Sequence, residues 1–368
     1  MEAYRKLNTD LLIIGSEAGG AMAAFHAARS GLHVTMVTKT TMGRGGVTVL
    51  APYSCNAALG LADPRDNPEA HYRDTIAGGR YINDRKLARI MAEESPARVL
   101  ELASWGLRWT KEGGKIRQGW MPGHTYPRAL HVGLYTGLRM VQVFRAHARK
   151  FPNINVMNDI FITRLMTDGN GEVAGAVGID LDTGEAIVFV AKATIIATGG
   201  GMYLYRYNSA APESTGDGYA YAYQVGAQLI DMEFVQFFPT GGLYPRPLQG
   251  KMGPGIQRYY LNAYLYNSEG ERFMSRYDPV NMEKATRDIL SRAIFMEIKA
   301  GRASPHGGVW LDCSYLPRNI IEAQLEKFFG GSWRWIGIDM LEYGLDIREK
   351  AVEVIPVAHY FMGGDKDR

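Results

Sequence analysis

Strand-length apolar runs and helix-period stretches alternate along the first part of this chain. Asp10-Leu-Leu-Ile-Ile14 is a short continuous apolar run of the kind that forms a buried strand. Gly15 to Gly20 breaks the run. Ala21 to Ser30 follows, with Ala21, Ala23, Ala24, Ala27 and Ala28 providing the small side chains of a helix packed closely on a sheet. Gly31 is a helix stop, and His33-Val-Thr-Met-Val-Thr38 is a second strand. The pattern predicts a βαβ unit over 9–38.

Further on, residues 41–80 are rich in Gly and Pro and read as a loop. Leu87, Ile90, Met91, Val99, Leu100 and Leu102 give Lys86–Leu107 helical spacing, with Pro96 marking a break or a first turn. Gly133–Lys150 reads as an amphipathic helix and Asn155–Leu165 as a strand. Asp168-Gly-Asn-Gly and Asp182-Thr-Gly-Glu read as hairpin turns. The apolar run Ala193–Ala197 ends in Thr198-Gly199-Gly200-Gly201, and Thr215-Gly216-Asp217-Gly218 opens a small-residue helix. Residues 242–262 look irregular, Glu283–Ala300 is helical, Asp312–Ile347 reads as mixed periphery, and Val352–Gly364 returns to strand-like sequence. A domain that begins, is interrupted and resumes fits this order. The expected fold class is α/β: a Rossmann-like FAD-binding domain at 1–230, an inserted α+β capping domain at 231–348, and a return segment at 349–368.

Composition adds little that contradicts this. With 46% hydrophobic residues in 368, the chain can form a substantial core, and the net charge of +3 carries no field that would favour nucleic acid or a membrane surface. The 43 glycines exceed the usual ~7% share, consistent with repeated close approach of backbone to a ligand. There are two cysteines, Cys55 and Cys313, and no CxxC, so no metal or iron–sulfur site is expected within the chain. No segment reaches the ~20 apolar residues of a spanning helix. No signal-type h-region follows Arg5 and Lys6, so a cytoplasmic location is the expectation, including the cytoplasmic face of a membrane complex reached through a partner.

The turn Gly15-Ser16-Glu17-Ala18-Gly19-Gly20 has the GxGxxG form that receives a pyrophosphate between a strand and a helix. Gly15 and Gly20 fit its outer positions, but Glu17 holds the middle one. Three arrangements are open: Glu17 points away, Ser16 and the helix N-terminus carry the phosphates through N–H groups, or Glu17 is neutral. A βα turn of any α/β domain would look similar. The second glycine-rich strand end at Thr198–Gly201 adds the further cradle that a long FAD requires. The second strand ends in Thr38-Lys39 rather than in an acidic residue, unlike an NAD-binding fold.

The stretch Thr198–Gly201, Thr215–Gly218, Asp231-Met-Glu-Phe-Val-Gln236 and Phe238-Pro-Thr-Gly241 resembles the flavoprotein subunits of fumarate reductase and succinate dehydrogenase, and their relative L-aspartate oxidase. The resemblance implies FAD held by Gly15, Ser16, Gly19, Gly20, Thr38, Lys39, Gly45, Gly46, Thr198, Gly199, Gly200, Asp217 and Gly363. The family carries an Arg-Ser-His-Thr stretch whose histidine can bond covalently to flavin. Gly46 stands at that place, so the resemblance implies non-covalent FAD. In Lys284–Arg292, Arg287 matches the arginine that delivers a proton, and in Pro356–Gly364, His359 matches the histidine that holds a substrate carboxylate. The plainer alternatives are an Arg287 paired with Asp288 or Glu283, and an Asp217 that caps the following helix.

The family's tetrapeptide at 238–241 begins with a histidine, where this chain has Phe238, and its Thr-Glu-x-x-Arg proton relay is replaced by Gln257-Arg258-Tyr259-Tyr260-Leu261. The family pattern also continues past Gly364 with a His-Gly-Ala-Asn-Arg-Leu run, implying a fragment, a split gene or a completing partner. The implied activity is hydride transfer between flavin and a small dicarboxylate or related carboxylate substrate. Electrons would be exchanged with a separate iron–sulfur subunit. The rivals are a non-catalytic flavin-binding or scaffold subunit, an L-aspartate oxidase, and an adenylylsulfate reductase-like enzyme.

Overall fold

The computed structural model of the chain describes residues 4–51, 54–329, 341–361 and 363–365. They divide into two compact units, one of residues 1–204, 211–233 and 363–368, the other of 205–210 and 234–362.

The first unit is built on a six-stranded sheet of β1 (Tyr4–Ile14), β2 (Val34–Val37), β3 (Ile154–Met157), β4 (Ile160–Thr167), β5 (Val173–Asp180) and β6 (Ala186–Ile196). Their order is β3-β2-β1-β6-β5-β4. The first four neighbours are parallel, and β5 and β4 continue antiparallel. Alternation along β1 sends Leu11 and Ile13 into one hydrophobic cluster, with Phe25, Met36 and Phe144, and Leu12 and Ile14 into the other, with Ile162 and Phe189. The helix Ala18–Arg29 makes the crossover from β1 to β2, burying Gly20, Ala21, Ala24, Phe25 and Ala28. The expected βαβ unit is present.

Several local expectations are corrected. Residues 41–80 contain a helix, Pro68–Gly78, started by the Asn67 side chain accepting from Ala70 N–H, with Pro68 in the first turn. The helix Arg85–Ser104 runs through Pro96 without a break. Pro96 has no N–H to offer the Ala92 carbonyl, and the Ser95 hydroxyl donates to that carbonyl instead, at 3.4 Å. The single strand expected at 155–165 is two, separated at Asn158-Asp159, where Asp159 has φ 57°. Residues 242–262 include a helix, Gly253–Tyr260. Part of the mixed periphery, residues 330–340, lies outside the described residues.

The second unit contains an antiparallel sheet of β7 (Val235–Tyr244), β8 (Tyr264–Tyr266), β9 (Val309–Asp312) and β10 (Val352–Phe361), in the order β7-β10-β9-β8. The helix Arg287–Lys299 packs on β7. The segment expected to return at 349 stays in this sheet as β10. The chain re-enters the first unit only at Gly363, where Gly364-Asp365 pairs with Leu229-Ile230.

Candidate functional site

In the first unit the fingerprint residues converge at the carboxyl ends of β1, β2 and β6. Gly15 N–H donates to Val37 O at 2.8 Å, and Ala197 N–H donates to Ile14 O at 2.7 Å. These bonds bring the turn 15–20 beside the turn 197–201. Gly15 has φ +113°, and a Cβ there would collide with the Ala197 carbonyl. Gly19 faces open space, and no acidic residue stands in the first turn of the helix Ala18–Arg29. That helix end therefore keeps N–H donors for an anion.

Glu17, the misfit of the fingerprint, turns to the chain after β2. Its Oε2 accepts from Thr48 N–H at 2.5 Å, at the start of the short helix Val47–Leu50, and its side chain fills the space in front of Gly46. Burial raises the Glu17 carboxyl above its ordinary range, against the lowering effect of the Thr48 bond, and Glu213 adds to the rise. Glu213 Oε2 also faces Gly46 N–H, at 3.5 Å. Gly45 packs on Thr40 as tightly as Gly46 does on Glu17.

Lys39, just past β2, ties the cradle together. Its Nζ donates to Asp217 Oδ2 at 2.5 Å and to Thr215 Oγ1 at 2.7 Å. Thr215 Oγ1 donates to the other Asp217 oxygen at 2.9 Å. Asp217 is the first residue of the helix Asp217–Gln224, and the capping position is Gly216. Its carboxylate thus serves Lys39 rather than the helix end. Thr198 sits against Gly218, where a Cβ would meet its hydroxyl. Thr38 holds β3 and β4 through its backbone. Gly363 packs on the Asp231 backbone and accepts from Tyr219 Oη at 3.3 Å. The glycine turns, the free helix end and the diverted Glu17 carboxylate fit the pyrophosphate of a dinucleotide such as FAD.

In the second unit a separate group of side chains gathers around Phe238. The helix Arg287–Lys299 starts at Arg287, a cation at a helix N-terminus where the macrodipole disfavours it. Two contacts hold it. Arg287 NH1 donates to Gln236 Oε1 at 2.6 Å, and the guanidinium lies 5.5 Å from the Phe238 ring centroid. Neither Asp288 nor Glu283 is its partner: Thr286 Oγ1 donates to Asp288, and Glu283 pairs with Arg272. Phe238 itself is fully buried, and its ring fills the space in front of Gly255.

His359 reaches the same ring, with centroids 5.6 Å apart. It is aimed there by a bulge: Gln236 pairs with Tyr360 and Phe237 with Ala358, so His359 has no opposite residue. His359 Nδ1 is 2.7 Å from Ser209 Oγ. Burial, aided by the Arg287 charge, lowers the imidazole to about 3, so it is neutral at ordinary pH. Ser209 had no signal in the sequence. It arrives because residues 207–209 pair alongside Ala358. Arg258, the residue nearest the family's relay, is buried and donates to Glu283 O at 3.0 Å.

Among the described residues no group of three or more His, Cys, Asp or Glu could hold a metal ion, and no helix is long and apolar enough to cross a membrane. Burial pushes the Cys313 thiol up to about 12 and also raises that of Cys55.

The protein family described as "FAD binding domain" matches residues 10–365. The flavoprotein-family chain of the CoM/CoB fumarate reductase of Methanothermobacter marburgensis is 40% identical over 356 residues, covering 96% of this chain and 63% of the relative. The solved Mycobacterium smegmatis Sdh1 in complex with UQ1 superposes with a TM-score of 0.84 at 36% identity, covering 98% of this chain and 60% of the other. An E. coli quinol fumarate reductase gives 0.86 at 28% identity, covering 98% of this chain and 62% of the other. The chain thus spans about three-fifths of the length of these proteins.

Proposed function

The chain belongs to the FAD binding domain family, and from that premise we propose that it is the flavin-binding part of an oxidoreductase of the fumarate reductase and succinate dehydrogenase type, acting on a small carboxylate. The observation that carries this reading is the convergence of Arg287 and His359, from a helix start and a strand bulge, on one ring, Phe238. Bound FAD supplies or accepts the hydride at one substrate carbon.

The residues of the chain do the rest. Gly15, Ser16, Gly19 and Gly20 offer backbone donors to the pyrophosphate, and Gly199 and Gly200 provide the second close approach. Lys39 and Asp217 hold the two turns at their working separation. Gly46 leaves no side chain that could bond to flavin, so the cofactor is held non-covalently. Arg287 commits one donor to Gln236 and keeps the rest of its guanidinium fork for a substrate carboxylate or a proton in transit. Ser209 donates to His359 Nδ1, which leaves Nε2–H as a donor to a carboxylate. Phe238 offers no donor, so one end of the substrate lacks an anionic contact that a histidine there would make. With only two cysteines and no metal cluster among the described residues, electrons pass to or from a separate iron–sulfur subunit.

The test is dye-linked turnover of fumarate, succinate and shorter or less charged acids by the protein purified with its accompanying subunits. Arg287→Gln should keep the flavin absorbance and lower turnover about a hundredfold or more. Full activity in that variant removes the assigned role. Flavin without turnover on any acid favours a scaffold subunit.

A further inference from the structure

Residues 304–308 of the second unit close around one buried carboxylate. Ser304 N–H donates to Gly308 O at 2.7 Å, and Gly308 N–H donates to Ser304 Oγ at 3.0 Å. Ser304 Oγ donates to Glu353 Oε2 at 2.5 Å, and His306 N–H donates to the same oxygen at 3.1 Å. The other oxygen, Oε1, takes His306 Nδ1 at 2.5 Å. The Glu353 side chain is 5% exposed, so both of its oxygens are spent inside the protein. The His306 side chain is 44% exposed. With Nδ1 committed to Glu353, its Nε2 is the nitrogen left for a ligand. The imidazole also lies parallel to the Tyr244 ring, 3.7 Å away.

A cavity of about 640 Å³ opens at this point, with Tyr244, Tyr266, Trp310, His306, Lys350 and Glu353 in its walls. The volume is in the range of small-molecule pockets, which are mostly apolar with a few placed polar groups. Here the apolar part is aromatic and the polar part is an oriented imidazole and a cation. Lys350 makes no ion pair among the described residues, so its charge is available. None of these six side chains belongs to the fingerprint turns or to the group around Phe238.

The geometry points to a second ligand site, taking a planar aromatic ring that bears a ring N–H or O–H donor and an anionic substituent. The ring stacks on the aromatic walls, its donor meets His306 Nε2, and its anion meets Lys350. A nucleoside monophosphate and an aromatic hydroxy acid share this chemistry. The site does not depend on the proposed oxidoreductase activity.

Equilibrium dialysis of the full chain against AMP and, separately, 4-hydroxybenzoate tests it, and the probe that binds identifies the source. At least one should bind saturably at one site per chain. Tyr244→Ala and His306→Ala should each weaken that binding by about tenfold, the loss of a ring stack or of the oriented nitrogen. Lys350→Gln should weaken it several-fold and flatten its salt dependence. Tyr244 and Lys350 are exposed, so their variants keep the test open if His306→Ala does not fold. Absence of saturable binding by both probes overturns the site, as does binding that all three variants leave unchanged.

Discussion

Glu17 occupies the space that a side chain at Gly46 would need. A Cβ built on Gly46 would collide with the Glu17 carboxyl group, which is held there by Thr48 N–H at 2.5 Å. Gly46 also has φ +84°, a conformation that favours glycine. Two departures from the fumarate reductase pattern, a carboxylate inside the phosphate turn and a glycine where a flavin-bonding histidine stands, are therefore one arrangement. The carboxylate that would repel a pyrophosphate is led away into a gap left by the missing histidine.

Gly46→His should therefore not yield covalently bound flavin, and it should lower the melting temperature. Part of that loss is steric and part comes from the backbone angle. In a Glu17→Gly background the steric part disappears. The stability loss from Gly46→His should then be smaller by about 1 kcal/mol or more, a coupling expected of touching residues. Thermal unfolding of the four proteins measures the cycle, and acid precipitation followed by a flavin spectrum checks attachment. Simple additivity would show that the two positions do not compete.

Phe238 is the centre of its own small network. Its ring is buried, fills the space before Gly255, and lies under Arg287 and beside His359. Phe238→Ala should cost about 3–5 kcal/mol through lost burial and a residual cavity. It should also release Arg287 from one of its two contacts. Phe238→His is the informative partner: it restores a donor at that place but exchanges a ring that attracts a cation for one that, if protonated, repels it. We expect Phe238→His to raise kcat/KM for a dicarboxylate relative to a monocarboxylate. A parallel change for both substrates would mean that this position does not read the second carboxylate.

How much of this was legible in the chain depends on how local each cause is. The crossover from β1 to β2 follows from a strand-length run, small residues at helical spacing and Gly31, all within one short segment. The helix at 68–78 had a local signature too, Asn67-Pro68-Glu69, but the glycines and prolines around it obscured that start. Pro96 argued for a break that a neighbouring serine hydroxyl makes unnecessary. The order β7-β10-β9-β8 joins strands far apart in sequence, and no periodicity encodes such pairing. The same holds for the site. Motifs pointed to Arg287, His359, Lys39 and Asp217, whereas the destination of Glu17 is set by a bond to a residue 31 positions away and the role of Ser209 by one 150 positions away.

Three desolvated histidines make the protein sensitive to mild acid. Burial lowers His359 to about 3, and it lowers His71 and His124 to about 4, with the Arg287 charge adding to the first and the Arg128 charge to the other two. In the unfolded chain each would titrate near 6.5. Between that value and the folded one, the unfolded state binds protons that the folded state refuses, so stability rises with pH across this window. The contribution is fully present above about pH 6.5 and is lost progressively as pH falls toward 4, before most carboxylates protonate. Urea unfolding at pH 5 should therefore show a lower midpoint than at pH 7.5. His359→Gln should reduce that difference, and His71→Gln with His124→Gln should reduce it further, because each removes a group that must be held uncharged in the fold. Equal midpoints at the two pH values in the unaltered protein would mean that these histidines are not held neutral by the fold.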